Sequence, residues 1–471
     1  MKGVTLLFLV TLTAFLSDVT DAATCPLAAS LGCFCQNGVV DCTNKNLDAV
    51  PPFSSAGWDQ FTIVRLSKNN ITSVPSNAFL HINVTTIELD YNNINHIATD
   101  AFAGISNYLT TLDLEGNKLI AASEAFKHLP HLTSLNILHN PVRSVPDPVL
   151  YALGSTLLDF SFGDDGLDIW PTTLNHLQTL KSLRFEGLGM KNIPFAAFHG
   201  FELTLRKLTL RRTGISAVPR AIKELLYLEE LYFEDNINVH DSGIIESAFQ
   251  TARPGGGSPI QTLSLKNNSL STFPTALKEL PELTTFIMDD NRLWYINDAM
   301  VSYVRGYMFN VSLRGCSLDR VPQAILRIKH LQNLDLSKNN INSIYSNDFT
   351  FNDGSLHHEH LKFLNLASNP LAYIASTSFE RLAALTEVNI TSTALKAIPC
   401  ALGNVPSLSK VYVHNTPVEC TCDLKWIQAT EASHVTFEGE CETITQNIQD
   451  YITKRIPLCP NDISSRTRCR P

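Results

Sequence analysis

Three sets of residues in this chain are equipped for chemistry: eleven cysteines, a short histidine cluster and two blocks of opposite charge. Cys25, Cys33, Cys35 and Cys42 crowd one end, and Cys420, Cys422, Cys441 and Cys459 the other. Thiols so grouped either oxidise to disulfides or, as thiolates, hold zinc; the first is the chemistry of an exported chain, the second of a reducing compartment. His357, His358, Glu359 and His360 carry donor atoms for a metal. Their order does not match His-Glu-x-x-His, and a loop rarely fixes tetrahedral geometry, so a solvated loop without a metal is expected. Arg206, Lys207, Arg211 and Arg212 are followed, each 23 residues later, by Glu229, Glu230, Glu234 and Asp235. That pattern speaks of ion pairing, not of bond making. There is no Gly-x-Ser-x-Gly turn, no Gly-x-Gly-x-x-Gly loop and no carboxylate pair bound for one cleft, so neither an enzyme nor a cofactor is expected. Residues 252–259, ARPGGGSP, lack the Gly-Lys-Ser/Thr of a phosphate-cradling loop and read as a flexible insertion.

The elements that position these groups follow from a period. Residues 331–341 read LQNLDLSKNNI, apolar at the first, fourth, sixth and eleventh positions, with Asn339 at the ninth. The register recurs with ninth positions at Asn69, Asn92, Asn117, Asn140, Asp165, Leu188, Thr213, Asn236, Asn268, Asn291, Cys316, Asn339, Asn369, Thr393 and Thr416, fifteen units in all. Most units are 23 to 25 residues long, and the eighth and twelfth extend to 32 and 30. A fixed period of this kind means a solenoid. A strand alternates its side chains, so the fourth and sixth residues face a core while the third, fifth and seventh are displayed. The ninth-position Asn satisfies backbone groups where the chain leaves the strand. Leu188 can supply no such hydrogen bond, so the sixth unit is expected to be locally irregular. These are the features of a leucine-rich repeat: an α/β repeat fold, a curved horseshoe-shaped solenoid with a parallel concave sheet. Its convex side is expected to be a turn of helix or an extended segment.

Residues 1–23 place Lys2 ahead of an apolar run that ends in a polar stretch, the pattern of a cleaved signal peptide. The run is shorter than the roughly 20 apolar residues of a membrane span, and no second run follows, so a secreted, extracellular chain without a membrane span is expected. A net charge of −9 disfavours nucleic acid as a partner. The organisation expected is a cysteine-rich cap at 24–60, repeats over 61–416, a second cap at 417–460 and a tail at 461–471.

Residues 25–51 (CPLAASLGCFCQNGVVDCTNKNLDAVP) resemble the N-terminal cap of animal extracellular leucine-rich repeat proteins, and the run Cys420-x-Cys422-Asp423-Leu424-x-Trp426 resembles their C-terminal cap. The gap between the first two cysteines is longer than the family's, which bears on the first loop of that cap. The resemblance implies pairing of Cys25 with Cys35, Cys33 with Cys42, Cys420 with Cys441 and Cys422 with Cys459, and a Trp426 that plugs the last turn of core. Cys316, Cys400 and Cys469 remain. Cys316 is expected to be a free buried thiol; Cys400 and Cys469 either bridge internally or leave Cys469 to link a dimer, so monomer and disulfide-linked dimer both stay open.

The resemblance also implies a function: a secreted module that holds an extracellular protein ligand on its concave face. A second similarity, to the non-catalytic leucine-rich repeat subunit of shrimp luciferase, rests on the widened Cys25…Cys33-x-Cys35 cap and implies the alternative, an accessory subunit of an exported complex. Asn70, Asn83, Asn267, Asn310 and Asn389 begin glycosylation sequons. Asn310 and Asn389 fall on displayed strand positions, whereas the third to eighth units carry no sequon between Asn83 and Asn267. In that window the register sets Arg206 against Glu229, Lys207 against Glu230, Arg211 against Glu234 and Arg212 against Asp235, with Tyr232 as an aromatic anchor. Such a ladder arises on any solvated face and equally suits a partner with complementary stripes. Glu88, Asp90, Asp113 and Glu115 on the second and third strands, expected to lack basic neighbours, would extend the site toward a basic ligand.

Overall fold

The computed structural model describes residues 31–53, 61–251, 253, 257–293, 296–302, 304, 307–350, 360–444 and 446–459. Eighteen strands form one sheet. Phe34–Gln36 runs antiparallel to Val39–Asp41, and from there every pairing is parallel, unit against unit, to Thr436–Glu438. The register is the one the repeat dictates: Leu183 lies beside Leu208, and Leu208 beside Leu231. The fourth- and sixth-position side chains, Leu208 and Leu210 among them, are fully buried. No unit could bury its apolar face alone; each strand contributes a few core residues that only its neighbours cover.

Nine of the fifteen ninth positions hold asparagine, and these side chains form ladders within successive units. Asn140 is completely buried; its Oδ1 accepts from the Leu119 amide at 3.0 Å and its Nδ2 donates to the carbonyls of Leu114, Ile137 and Leu138 at 2.8, 3.2 and 3.1 Å. One side chain thus closes the turn of its own unit and ties it to the preceding one. Thr213 substitutes by donating its hydroxyl to Asn236 Oδ1 at 2.6 Å, and the Cys316 thiol donates to the Met288 carbonyl at 3.2 Å.

Units five and six dispense with asparagine. Asp165 Oδ1 still accepts from the Leu188 amide at 3.0 Å, but Leu188 itself turns outward and is 44% exposed. Glycine takes over. Gly163 has φ 133°, and a Cβ on it would lie 2.0 Å from the Glu186 carbonyl oxygen; one on Gly187 would lie 2.3 Å from that of Asp164. The turns here are closed by backbone pressed against backbone, which only glycine allows. The irregularity of the sixth unit is confined to this turn. Its strand, Ser182–Glu186, is five residues long where most units have three, and is regular along its length. Beneath it Phe162, Trp170, Phe185 and Phe198 pack edge to face, with Trp170 Nε1 donating to the Ala197 carbonyl at 3.0 Å.

The convex side alternates short helical turns and extended segments. Five-residue 3-10 helices follow Pro171, Pro219, Pro274 and Pro322, where the proline ring presets φ and the missing amide costs nothing. Elsewhere two small parallel ladders form, Ser73–Val74 with His96–Ile97 and Ser343–Ile344 with Tyr373–Ile374.

Disulfides Cys33–Cys42, Cys420–Cys441 and Cys422–Cys459 staple the two ends. Cys35 and Cys400 are also disulfide-bonded. The expected partners Cys25 and Cys469, the signal peptide and the cluster His357, His358 and Glu359 lie outside the described residues. Cys316 is a free, buried thiol whose pKa burial pushes up to about 12. Trp426 is buried against Gly403, where an added Cβ would stand 2.9 Å from the indole, so the second cap seals the last turn of core. No helix among the described residues is long and apolar enough to cross a membrane.

Candidate functional site on the concave sheet

The displayed positions of the strands line up in rows because the parallel register carries each position to its counterpart one unit on. Second-position hydroxyls make the first row. Thr85, Thr110 and Thr133 each donate to the second-position carbonyl of the unit before, at 3.1 to 3.2 Å. Fifth-position Asx residues make another: Asp113, Asn136, Asp335, Asn365 and Asn389 accept from the amide two residues on, at 2.8 to 3.1 Å. These side chains complete the strand ends before any ligand is considered.

The charged blocks sit on the sheet as the register requires, with Lys207 beside Glu230 and Arg211 beside Glu234. The side-chain pairings follow only in part. Arg206 reaches Glu229 at 3.7 Å and Lys207 reaches Glu230 at 3.1 Å. Arg211 instead pairs with Asp235 and lies 3.9 Å from Glu186, while Arg212 turns back to Asp165 at 3.8 Å. The cause is backbone conformation: Arg212 and Asp235 are left-handed, with φ 47° and 56°, so their side chains leave the strand direction. Glu234 accepts from the Ser264 hydroxyl at 2.5 Å. Tyr232 lies under the Lys207 ammonium, 4.8 Å from the ring centroid, and donates to Glu230 at 3.1 Å. Burial and the Glu230 charge push its phenol up to about 12. It is an engaged member of the face, half-buried, not a free anchor.

The acidic group on the second and third strands is not without basic neighbours, which corrects the expectation. Arg65 pairs with Glu88 at 3.0 Å, and His139 with Glu115 at 3.0 Å. Asp90 accepts from Ser67, and Asp113 from Asn136 at 3.3 Å. Arg65 belongs to the fifth position of the first unit and His139 to the eighth of the fourth, so both flank the group along the sheet. Burial works against a charged Glu115, yet hydrogen bonds from Asn136, Tyr91 and His139 hold it below the ordinary carboxylate range. Asp113 goes the other way: burial, with Asp90 and Glu115 beside it, pushes it up to about 6.

His139 makes the connection that sequence reading missed. Its Nδ1 faces Glu115 and its Nε2 lies 3.3 Å from Glu186, two units away. The reach spans the fifth unit because Gly163 occupies the intervening seventh position and offers no side chain. Glu186 is 4% exposed and also accepts from Arg184 Nε at 2.9 Å. An unbroken polar ribbon results, from Tyr91 through Glu115, His139, Glu186, Arg211 and Asp235 to Asn267, whose amide donates to Asp235 at 2.6 Å. The signal available in the sequence was a glycine at a displayed position flanked by a histidine and a glutamate.

The sequon residues are distributed unevenly over this surface. Asn70, Asn83 and Asn267 are exposed, whereas Asn310 is half-buried, donating to Thr285 Oγ1 at 3.0 Å and accepting from Asn333 at 2.6 Å. Among the described residues no group of three or more His, Cys, Asp or Glu is placed to hold a metal.

The raised Asp113 has a measurable consequence. A carboxyl whose pKa is higher folded than unfolded favours folding in acid, and that contribution is lost as pH rises from about 3.8 through about 6. Asp113→Asn removes the penalty of burying the charge while keeping an oxygen to accept from the Glu115 amide. Urea unfolding is expected to show the variant more stable than the parent at pH 7, by on the order of 2 kcal/mol, with the gap closing at pH 4. An equal gap at both pH values would count against the assignment.

Comparison with known proteins agrees with the geometry. Residues 82–142 match the family described as leucine rich repeat. Human podocan-like protein 1 is 26% identical over 347 residues, covering 62% of this chain and 64% of its own length. The human volume-regulated anion channel subunit LRRC8B is 28% identical over 211 residues, 43% of this chain and 24% of that protein. The chain therefore spans less than two thirds of the length of these relatives. A solved LRR protein of Leptospira interrogans superposes with a TM-score of 0.56 at 18% identity, over 84% of this chain and 94% of that one, and shows the fold alone. The repeated strand and turn, the parallel sheet, the buried turn asparagines and the family match together make this chain a leucine-rich repeat protein with disulfide-bonded ends.

Proposed function

We propose that the protein is an extracellular binding module, without catalytic activity of its own, that holds a protein ligand on the concave sheet of its third to eighth units. The observation that carries this reading is the polar ribbon from Tyr91 to Asn267, which fixes half-exposed His139 and Arg211 against more deeply set carboxylates in one arrangement over several units. A surface whose side chains are already ordered loses little freedom on binding, and a broad curved face suits a protein better than a small substrate. Disulfides at both ends support an oxidising, extracellular setting. The third to eighth units carry no sequon, so glycans at Asn267, where the ribbon ends, and at Asn310 and Asn389 beyond it would bound the site and confine the partner to it. The ligand's complementary charges would compete with pairs such as Arg211–Asp235 rather than meet free ones, which favours a partner that brings both signs.

The test is capture of ligands from the native fluid on the secreted chain, followed by affinity measurement with two variants. Arg211→Glu together with Arg212→Glu, and Tyr232→Ala separately, are each expected to weaken binding at least tenfold, the first more strongly at low salt. Unchanged affinity in both, with folding intact, would place the ligand elsewhere.

A further inference from the structure

The flank of the sixth to eighth units carries a groove that the concave site does not use. Its volume is 620 Å³, within the range that takes a drug-sized ligand or a few residues of peptide. Ile193, Ile215 and Val218 form a buried apolar floor, and Phe195, 51% exposed, forms a wall. Prolines Pro194 and Pro219 keep the walls rigid by fixing φ on either side.

Charge sets this groove apart. Lys191 and Arg220 line it, no acidic residue does, and neither cation has an ion-pair partner among the described residues. On the concave sheet, by contrast, Arg65, Arg184, Arg206, Lys207 and Arg211 all have carboxylates. A third cation, Lys223, stands 5.1 Å from the centroid of the Phe195 ring but is paired with Glu224 at 3.9 Å, so the free positive charge of the groove rests on Lys191 and Arg220. Asn192 and Ser216 present exposed polar side chains to the groove that make no hydrogen bond among the described residues.

We infer that this groove docks an extended acidic peptide segment of a partner protein, one that seats an apolar side chain against Phe195 and sets flanking carboxylates on Lys191 and Arg220. The apolar floor accounts for the buried side chain, and the two uncommitted cations for the carboxylates. Asn192 and Ser216 supply hydrogen bonds that a peptide backbone uses and a hydrocarbon chain does not. Because the surface is separate from the concave sheet, one molecule could hold two partners at once.

The experiment titrates the full secreted chain into a fluorescein-labelled peptide of alternating glutamate and leucine, with glutamine–leucine and lysine–leucine peptides alongside. Only the glutamate peptide is expected to bind, with affinity falling at least tenfold in Lys191→Glu with Arg220→Glu, and likewise in Phe195→Ala. Arg211→Glu with Arg212→Glu should leave it unchanged, which separates this site from the concave one. Circular dichroism and urea midpoints equal to the parent's establish that the variants are folded. Equal binding of all three peptides, indifference to the charge reversal, or displacement by an equal concentration of laurate would each overturn the assignment.

Discussion

Gly163→Ala is expected to destabilise the protein more than any other methyl-sized change on the concave sheet. Two independent costs add. The residue sits at φ 133°, a conformation that L side chains rarely adopt, and its new Cβ would stand 2.0 Å from the Glu186 carbonyl oxygen. Left-handed strain contributes about 1–2 kcal/mol and overpacking against rigid backbone about 1–3 kcal/mol, so a loss of roughly 3 kcal/mol is the expected outcome. The shift of the sixth unit would also move Glu186 away from His139 and open the ribbon there. Chemical denaturation of the chain measures the first effect. Gly166→Ala is the matched control: its Cβ would meet only Asp164 Oδ2, at 3.2 Å, the end of a side chain that can swing away. A Gly163→Ala midpoint equal to that of Gly166→Ala would refute the close-packing account of these turns.

Asn140→Ala should cost a similar amount for a different reason. Truncation leaves the Leu119 amide and the Leu114 carbonyl without this partner at a completely buried site. Each orphaned buried group costs about 1–3 kcal/mol, and a total of about 3 kcal/mol follows with partial relaxation. Leu188→Asn, which restores the repeat consensus, is expected to change stability by less than about 0.5 kcal/mol. Position 188 already points to solvent, and its turn is closed by Gly187 and by Asp165 instead. Substantial stabilisation by Leu188→Asn would show that the sixth turn lacks hydrogen bonds, contrary to its structure. Hydrogen exchange resolves the two cases locally, since Asn140→Ala should expose amides of the third and fourth units and spare the distant cap.

The placement of both residues bears on function. Gly163 and Asn140 flank His139, the one side chain among the described residues that joins the acidic second and third units to the mixed charges of the sixth to eighth. The polar ribbon is therefore continuous only because a displayed position is empty and a turn is left-handed, His139 having φ 54°. The left-handed turn recurs at the eighth position of other units, as at Lys68, Tyr91 and Arg212, whereas glycine at a seventh position is peculiar to the fifth unit.

Much of this architecture was legible in the residues. The period of 23 to 25 puts apolar groups on one face of successive strands, and alternation within a strand leaves no other way to bury them. Leucine at the fourth position of the seventh unit must lie beside leucine of the eighth, as Leu208 lies beside Leu231. The position of the charged blocks on the concave sheet came from the same count. What the count could not supply is where a long side chain ends. Arg211 has several rotatable bonds and acidic groups on both sides, and it takes Asp235 and Glu186 because a left-handed backbone brings the first round and a buried, rigid Glu186 presents the second. The sequence by itself determined the solenoid, the register and the displayed rows, because those depend on backbone periodicity and burial, which act on residue types. Only the tertiary structure decided the pairings within the rows, the bridge from His139 over Gly163 and the charge-uncompensated groove beside Phe195, because those depend on distances between units that neighbouring turns set together.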